Sequence, residues 1–278
     1  MTDSVEDRQF VFTFPLRLFT FHSFFRSILA LLILIAIAVP AAAEKKVVYV
    51  VVALCDNQHQ GIVPVPAALG RGDQPETNLY WGARYGLRSV LDRSRDWEHL
   101  GAGAAPAAEP VLQRRVYRSK TDPEVFLIAD AFRGKSIGAA VKAFLRAAGG
   151  HPFPWPVCLD GRKISRPDLA IYVGHNGLMD FDPPVLARAP GQPATAAMVL
   201  ACKSRQYFAG ILGGLGARPL LLTTGFMAPE AYVVEAALTG WIAGENGDQI
   251  RRRAAAAYHR YQKCGLRAAL RLFVTGTP

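Results

Sequence analysis

His175 and Cys202 are the two residues of this chain whose types and spacing point to covalent chemistry. Each directly follows a short apolar run, at residues 169–174 and 196–201. Such runs are typical of strands buried on both faces in a parallel sheet. Sites in open α/β sheets lie just outside the carboxyl ends of the strands, where neighbouring strands are about 4.8 Å apart. The sequence therefore predicts an imidazole and a thiol held side by side on rigid supports.

This pair of side chains has the equipment for acyl transfer. A thiol attacks as the thiolate, which helix N-termini and nearby cations favour, and Cys202 is predicted to precede a helix with Lys203 beside it. His175 would take the thiol proton and return it to the leaving group. The backbone N–H groups of Asn176 or Gly177, together with that of Cys202, would face a developing oxyanion. The simplest such reaction is hydrolysis of a peptide or amide bond.

Each of the two residues also has a purely structural interpretation. A single Cys after an apolar run is more often a small core residue than a nucleophile. A single His at the end of a strand is usually hydrogen-bonded within a turn. The catalytic hypothesis is favoured because both residues are predicted at the same edge of one sheet.

The rest of the chain alternates apolar strands with helices. Strands are predicted at residues 47–54, 111–117, 125–131, 169–174, 196–201 and 220–224. Helices are predicted at residues 78–93, 136–148, 203–215, 230–243 and 247–263, the first of them capped by Thr77. This alternation predicts one α/β domain, residues 44–278, folded as a three-layer αβα sandwich with a mostly parallel six-stranded sheet.

The N-terminal segment has the pattern of a secretory signal peptide. Arg26 precedes an apolar run at residues 28–39, and small residues follow up to Ala43. We expect removal of residues 1–43 and a periplasmic or secreted protein. The alternative is a retained membrane anchor, although the apolar run is shorter than the roughly 20 residues that span a bilayer.

The charge of the chain restricts its partners only weakly. The formal net charge is +10, with Lys and Arg residues scattered along the sequence. The interleaving of basic and aromatic residues that is typical of a nucleic-acid platform is absent, so no nucleic-acid partner is predicted. For an exported protein, a loose attraction to anionic envelope surfaces is the expected consequence.

The four cysteines do not form a zinc motif. No Cys-x-x-Cys pair occurs in the sequence, so a metal site of that kind is not predicted. An oxidising compartment would allow a disulfide. Cys158 with Cys264 is the expected pairing, because Cys55 and Cys202 both follow predicted core strands.

The order of these elements resembles the caspase-like (clan CD) cysteine peptidases, which include caspases, legumains, gingipains and separases. The resemblance rests on an apolar block, His175, Gly177, a spacer, a second apolar block and Ala201-Cys202. Residues 214–231 are similar to the CHAT-type branch, which has a Gly-Ala turn, a last core strand, a substrate-side loop and a helix in this order. The resemblance implies His175 as the base, Cys202 as the nucleophile, a polypeptide substrate, and a site that needs neither cofactor nor metal.

Further residues are candidates for substrate binding. In legumain-like members of the family the end of the first strand contributes to the site, which implies a supporting role for Asp56 and Asn57. Asp180 and Asp182 would suit a basic side chain before the scissile bond. Thr224, at the end of the last predicted strand, is a weaker candidate.

Three functions remain open at this stage. The first is an exported cysteine endopeptidase. The second is a catalytically inactive relative that binds peptides or partner proteins, which is favoured by Asn176 standing where the family usually has Gly directly after the His. The third is a generic α/β hydrolase or a nucleotide-binding protein. Against this third function, we expect neither the Gly-x-Ser-x-Gly motif of a nucleophile elbow nor a dinucleotide-binding fingerprint after the first strand.

Overall fold

The sheet predicted from the apolar runs is present, and it is larger than predicted. A computed structural model describes residues 44–101, 109–153, 155 and 157–276. From Glu44 onward the chain forms one compact unit. The predicted signal peptide with its cleavage after Ala43, and the alternative anchor, lie outside the described residues. Among the helices of the described part, none is long and apolar enough to cross a membrane.

The strands form one large sheet and one separate hairpin. The described strands are β1 (Lys46–Ala53), β2 (Trp97–Gly101), β3 (Val111–Ser119), β4 (Val125–Phe132), β5 (Val157–Leu159), β6 (Arg162–Ile164), β7 (Leu169–Val173), β8 (Ala196–Leu200), β9 (Arg218–Thr223) and β10 (Phe273–Val274). Eight of them form a sheet in the order β10-β9-β8-β7-β1-β4-β3-β2, and β5 pairs with β6. Neighbours from β9 to β4 are parallel, whereas β2, β3 and β10 pair antiparallel at the edges. The predicted α/β class with a mostly parallel sheet is confirmed.

The predicted number of six strands is wrong for this sheet. All six predicted strands belong to it. Three of them, β4, β7 and β8, are buried along their whole length, and this burial accounts for their apolar runs. The two additional strands lack that signal. In β2 only Trp97 is buried, and β10 has just two residues. Edge strands with so little buried surface give no periodic pattern in the sequence.

Helices cover both faces of the sheet. They are α1 (Leu87–Arg93), α2 (Ile137–Ala148), α3 (Ser204–Gly214), α4 (Tyr232–Ile242), α5 (Gly247–Gln262) and α6 (Leu266–Leu272). The buried side chains of α2 and α3 pack on one face, and those of α1, α4 and α5 pack on the other. The last four helical predictions agree with the structure to within two residues at their ends, whereas α6 was not predicted.

The predicted helix over residues 78–93 is wrong in its first half. Residues before Leu87 form successive turns. Asn78 is fully buried there, and its side chain bonds both the N–H and the C=O of Cys55. A Cβ at Gly82 would lie 2.0 Å from the Glu76 carbonyl oxygen, which shows how closely the chain folds back. Thr77 is therefore not a helix cap, and its hydroxyl donates to a loop carbonyl instead.

The predicted disulfide between Cys158 and Cys264 is also wrong, since all four cysteines are free thiols. Cys158 lies on β5, in the hairpin whose Asp160 contacts Lys45 at the start of β1. Cys264 follows α5, whose Tyr258 hydroxyl accepts a hydrogen bond from Ala228, beyond the carboxyl end of β9. The two thiols thus lie on segments that contact opposite ends of the parallel strands, the amino end for Cys158 and the carboxyl end for Cys264.

Gly174 joins β7 to His175 in a conformation that requires glycine. Its φ is +146°, and a Cβ would lie 2.8 Å from the Ala53 carbonyl oxygen. We expect Gly174→Ala to lower the free energy of unfolding by about 2–3 kcal/mol, as measured by urea denaturation. The control Gly210→Ala, in α3 where a Cβ meets nothing within 4 Å, should raise it by about 0.5–1 kcal/mol. An unchanged unfolding midpoint for Gly174→Ala would contradict the requirement for glycine before His175.

Candidate active site

His175 and Cys202 follow neighbouring parallel strands at equivalent positions. The register of β7 with β8 pairs Val173 with Leu200. The N–H of Gly174 continues the ladder by donating to the Leu200 carbonyl at 3.4 Å. His175 and Cys202 each come two positions after the Val173–Leu200 pair. The sheet therefore delivers the imidazole and the thiol to the same edge, from adjacent strands.

The imidazole of His175 is fixed by a carboxylate. Its Nε2 lies 2.7 Å from Oδ2 of Asp180, and the His175 side chain is 7% exposed. The same carboxylate oxygen accepts the N–H of Gly61 at 3.1 Å. The buried Tyr172 hydroxyl donates to the His175 backbone carbonyl at 2.8 Å. With Asp180 ionised, Nε2 carries the ring proton and Nδ1 keeps the lone pair that can accept another proton.

This contact gives the Asp180 carboxylate a partner that the sequence analysis does not predict. A carboxylate that binds a basic substrate side chain would face open solvent, whereas that of Asp180 is engaged by His175 and Gly61. Its role in substrate binding stays a prediction. The sequence signal for the observed contact was weak, because the two residues are brought together by a single 3-10 turn over Gly177–Met179.

The sulfur of Cys202 lies half-buried beneath the loop that follows β9. The Met227 N–H donates to Sγ at 3.4 Å, and the thiol lies 3.5 Å from the Met227 carbonyl oxygen. Lys203, in a left-handed conformation at φ 50°, donates its N–H to the Gly225 carbonyl and then opens α3. In a thiolate, only the Met227 N–H could still form a hydrogen bond to sulfur. The loop therefore provides one donor for a negatively charged sulfur.

Asn176 connects the two strand ends directly. It is fully buried, and its Nδ2 donates to the Cys202 carbonyl at 2.7 Å while Oδ1 accepts the Leu178 N–H at 3.1 Å. A Cβ at the following Gly177 would lie 2.7 Å from the Phe181 ring. The backbone N–H groups of Gly177 and Cys202 donate to no other residue in the described part of the chain. Asn176 thus holds the Cys202 backbone against the His175 turn and leaves two amides available.

The other predicted substrate-binding residues have structural partners. Asn57 pairs with the backbone of Val65 through both ends of its amide. Thr224 follows β9 and donates its hydroxyl to the Arg271 carbonyl at 2.8 Å. Asp56 is buried after β1 and holds His59, with Nδ1 at 3.0 Å from Oδ2. Asp56 and Asn57 follow β1, which is the neighbour of β7, whereas Thr224 follows β9, which is the neighbour of β8. The contacts of these three residues with a substrate stay predictions.

A buried ionic network was missed in the sequence analysis. Asp130 on β4 is fully buried and accepts two hydrogen bonds from the Arg114 guanidinium, at 2.6 and 2.7 Å. The Tyr49 hydroxyl donates to the same carboxylate at 2.8 Å. Burial raises the pKa of Asp130, and the Arg114 charge opposes that shift. The network lies within the sheet, on paired strands, and not at the carboxyl edge that carries His175 and Cys202.

Residues 134–138 match the Gly-x-Ser-x-Gly pattern of a nucleophile elbow, contrary to the sequence-based expectation. They also occupy the appropriate place, between β4 and α2. Ser136, however, has φ −99° and ψ 27°, and such backbone lacks the sharp strained turn that exposes a nucleophilic serine. We therefore assign the matching residues to an ordinary helix start. Across the described residues, no group of three His, Cys, Asp or Glu side chains is gathered where it could hold a metal ion.

Comparison of this chain with protein-family models, with curated proteins and with solved structures finds no match.

Proposed function

We propose that this chain is an exported cysteine endopeptidase with a caspase-like fold, which hydrolyses peptide bonds with His175 and Cys202. The observation that carries the proposal is the parallel register of β7 and β8, together with the bond from Asp180 to the imidazole. A base held by a carboxylate, at the end of the strand that neighbours the strand of the thiol, is the pairing on which nucleophilic catalysis can be built. The polypeptide substrate, the periplasmic or secreted location and a loose attraction to anionic envelope surfaces belong to the same proposal.

The chemistry then follows from the atoms present. His175 Nδ1 removes the thiol proton, and the Cys202 sulfur attacks the scissile carbonyl. Breakdown of the tetrahedral intermediate cleaves the C–N bond, and the imidazolium gives its proton to the leaving amine. Water hydrolyses the resulting thioester and restores the thiol. The backbone amides of Gly177 and Cys202 are candidates to stabilise the oxyanion.

A second candidate is a catalytically inactive relative that binds peptides or partner proteins at the same strand ends. The observation that favours it is the position of the Cys202 sulfur, which is half-buried and has both a donor and an acceptor in the Met227 backbone. Such a thiol would behave as a packed polar group and not as a nucleophile.

Labelling by a peptidyl acyloxymethyl-ketone probe distinguishes these two candidates. The peptidase is expected to be modified at Cys202, with loss of labelling in Cys202→Ala and a decrease of about 10²-fold or more in His175→Ala, because the general base is removed. Mass spectrometry of the modified peptides gives the site. Cys55 is an internal control that should stay unlabelled, since burial raises its pKa to about 11.

Two outcomes would reject catalysis. One is an inert Cys202 in a protein with a native circular dichroism spectrum, which would point to the binding module. The other is labelling of Cys202 at an equal rate in the wild type and in His175→Ala. The exposed thiols of Cys158 and Cys264 report the general reactivity of the reagent in the same sample.

A further inference from the structure

A polar cavity lies beside the candidate active site, at the carboxyl ends of β1 and β4. Its volume is about 520 Å³, and its lining includes His59, Arg71, Arg133 and Lys135. The strand order β8-β7-β1-β4 places it on the His175 side of the dyad, away from Cys202. The loop that lines the cavity also reaches the dyad, because the Gly61 N–H donates to Asp180.

The cavity is built on close approaches that only glycine permits. A Cβ at Gly72 would lie 2.2 Å from the Asp56 carboxylate, and one at Gly134 would lie 2.4 Å from the Asp56 Cβ. The buried carboxylate of Asp56 is in turn occupied, since it accepts the N–H groups of Gln58 and His59 as well as His59 Nδ1. The His59 ring is therefore held in place, and its Nε2 has no partner among the described residues.

The lining of the cavity carries three cationic side chains, Arg71, Arg133 and Lys135, against two carboxylates, Asp56 and Asp73. Lys135 has no acidic partner within 4 Å in the described part of the chain, and Arg71 contacts Asp73 at only 3.9 Å with both side chains exposed. Arg133 is bound by Glu109. The negative charge of Asp56 is used internally by His59. A ligand with a carboxylate complements such a surface better than a neutral or a basic one.

We propose that this cavity binds an acidic residue of the substrate on the leaving-group side of the scissile bond; this inference rests on the proposed peptidase. The leaving amine takes its proton from His175, so the departing half of the peptide lies on the His175 side of the sulfur. Continued in that direction, the chain passes from the end of β7 to the ends of β1 and β4, where Lys135 and Arg71 lie.

Peptide binding to the Cys202→Ala protein tests the site without requiring turnover. The probes are two acetylated and amidated octapeptides that differ only by Glu or Gln in the half that follows the scissile bond. By calorimetry, the Glu peptide is expected to bind about tenfold more tightly than the Gln peptide, as charge-assisted hydrogen bonds typically allow. Lys135→Met and Arg71→Met should each lower this ratio to about threefold or less. Lys142→Met, at an exposed lysine of α2, is the matched control and should leave the ratio unchanged.

Turnover of the same pair of peptides by the wild type separates the two proposals. A Glu preference in binding without cleavage of either peptide would support the site and reject the peptidase. Cleavage at equal rates, with equal binding, would reject the site and leave the peptidase in place. If mass spectrometry of the products shows that the bond cleaved follows the Glu instead of preceding it, the assignment to the leaving-group side is overturned. Loss of the Glu preference in Lys142→Met would show a general effect of charge and would also reject the site.

Discussion

Replacing Asp180 by Asn is expected to lower kcat for peptide hydrolysis by about 10²- to 10⁴-fold with little change in KM. The Asp180 carboxylate accepts a hydrogen bond from His175 Nε2 at 2.7 Å and so keeps the proton on that nitrogen. An Asn side chain can present its NH₂ group to Nε2 instead. The proton would then move to Nδ1, and the nitrogen that should receive the thiol proton would no longer be a base.

The measurement is steady-state kinetics with a peptide reporter, and the matched control is Glu98→Gln. Glu98 is exposed on the edge strand β2 and has no ionic partner in the described residues, so its replacement should leave kcat within about twofold. The alternative role of Asp180 predicts a different result. If the carboxylate binds a basic side chain before the scissile bond, Asp180→Asn raises KM for Arg substrates and leaves kcat unchanged, and the positioning role is then rejected.

A second readout separates positioning of the imidazole from a general loss of folding. In Asp180→Asn the Cys202 sulfur keeps its contacts with the Met227 backbone, so slow alkylation by iodoacetamide should persist. Labelling by the acyloxymethyl-ketone probe, which depends on the activated pair, should fall together with kcat. Loss of both reactions would indicate a collapsed site and would contradict a role limited to the imidazole.

The sequence was informative about this fold where a strand is buried on both faces. Runs such as those in β7 and β8 have no charged residue within them, because both of their faces are buried in the two apolar clusters beneath the helices. Where burial is partial, the signal is lost, as in β2. The turns before Leu87 were mistaken for helix for a related reason. Their apolar spacing suits a helix, but the requirement of Asn78 to bond Cys55 is a tertiary constraint that no local pattern contains.

The same distinction applies to the candidate site. His175 and Cys202 were identified because the ends of parallel strands meet at one edge, which is a rule of topology and not of local sequence. The sequence analysis assigns Asp180 to substrate binding. It does not predict the contact with His175, because that contact depends on one short turn. Asn176 looked like a departure from a family pattern, whereas its side chain bonds the Cys202 carbonyl across two strands. Contacts of this kind follow from side-chain geometry, which spacing alone does not determine.

The ionic network around Asp130 gives the largest expected effect on stability. Arg114→Met should lower the free energy of unfolding by about 3–5 kcal/mol at neutral pH, because it leaves the fully buried Asp130 carboxylate with only the Tyr49 hydroxyl as a partner. Removing both charges in Arg114→Met/Asp130→Leu should recover most of the loss, since no buried charge then lacks a partner. Urea denaturation of the two variants and the wild type measures both effects.

The deficit of Arg114→Met should also depend on pH in a defined direction. Burial raises the pKa of Asp130 above its usual value, and Arg114 opposes this shift in the wild type. Without Arg114 the folded protein holds the Asp130 proton more strongly than the unfolded chain does. A group of this kind contributes stability at low pH that is lost as the pH rises through its folded pKa. The difference between the variant and the wild type should therefore be smaller at pH 5 than at pH 8, and a deficit that grows on acidification would show that the carboxylate is not the group left without a partner.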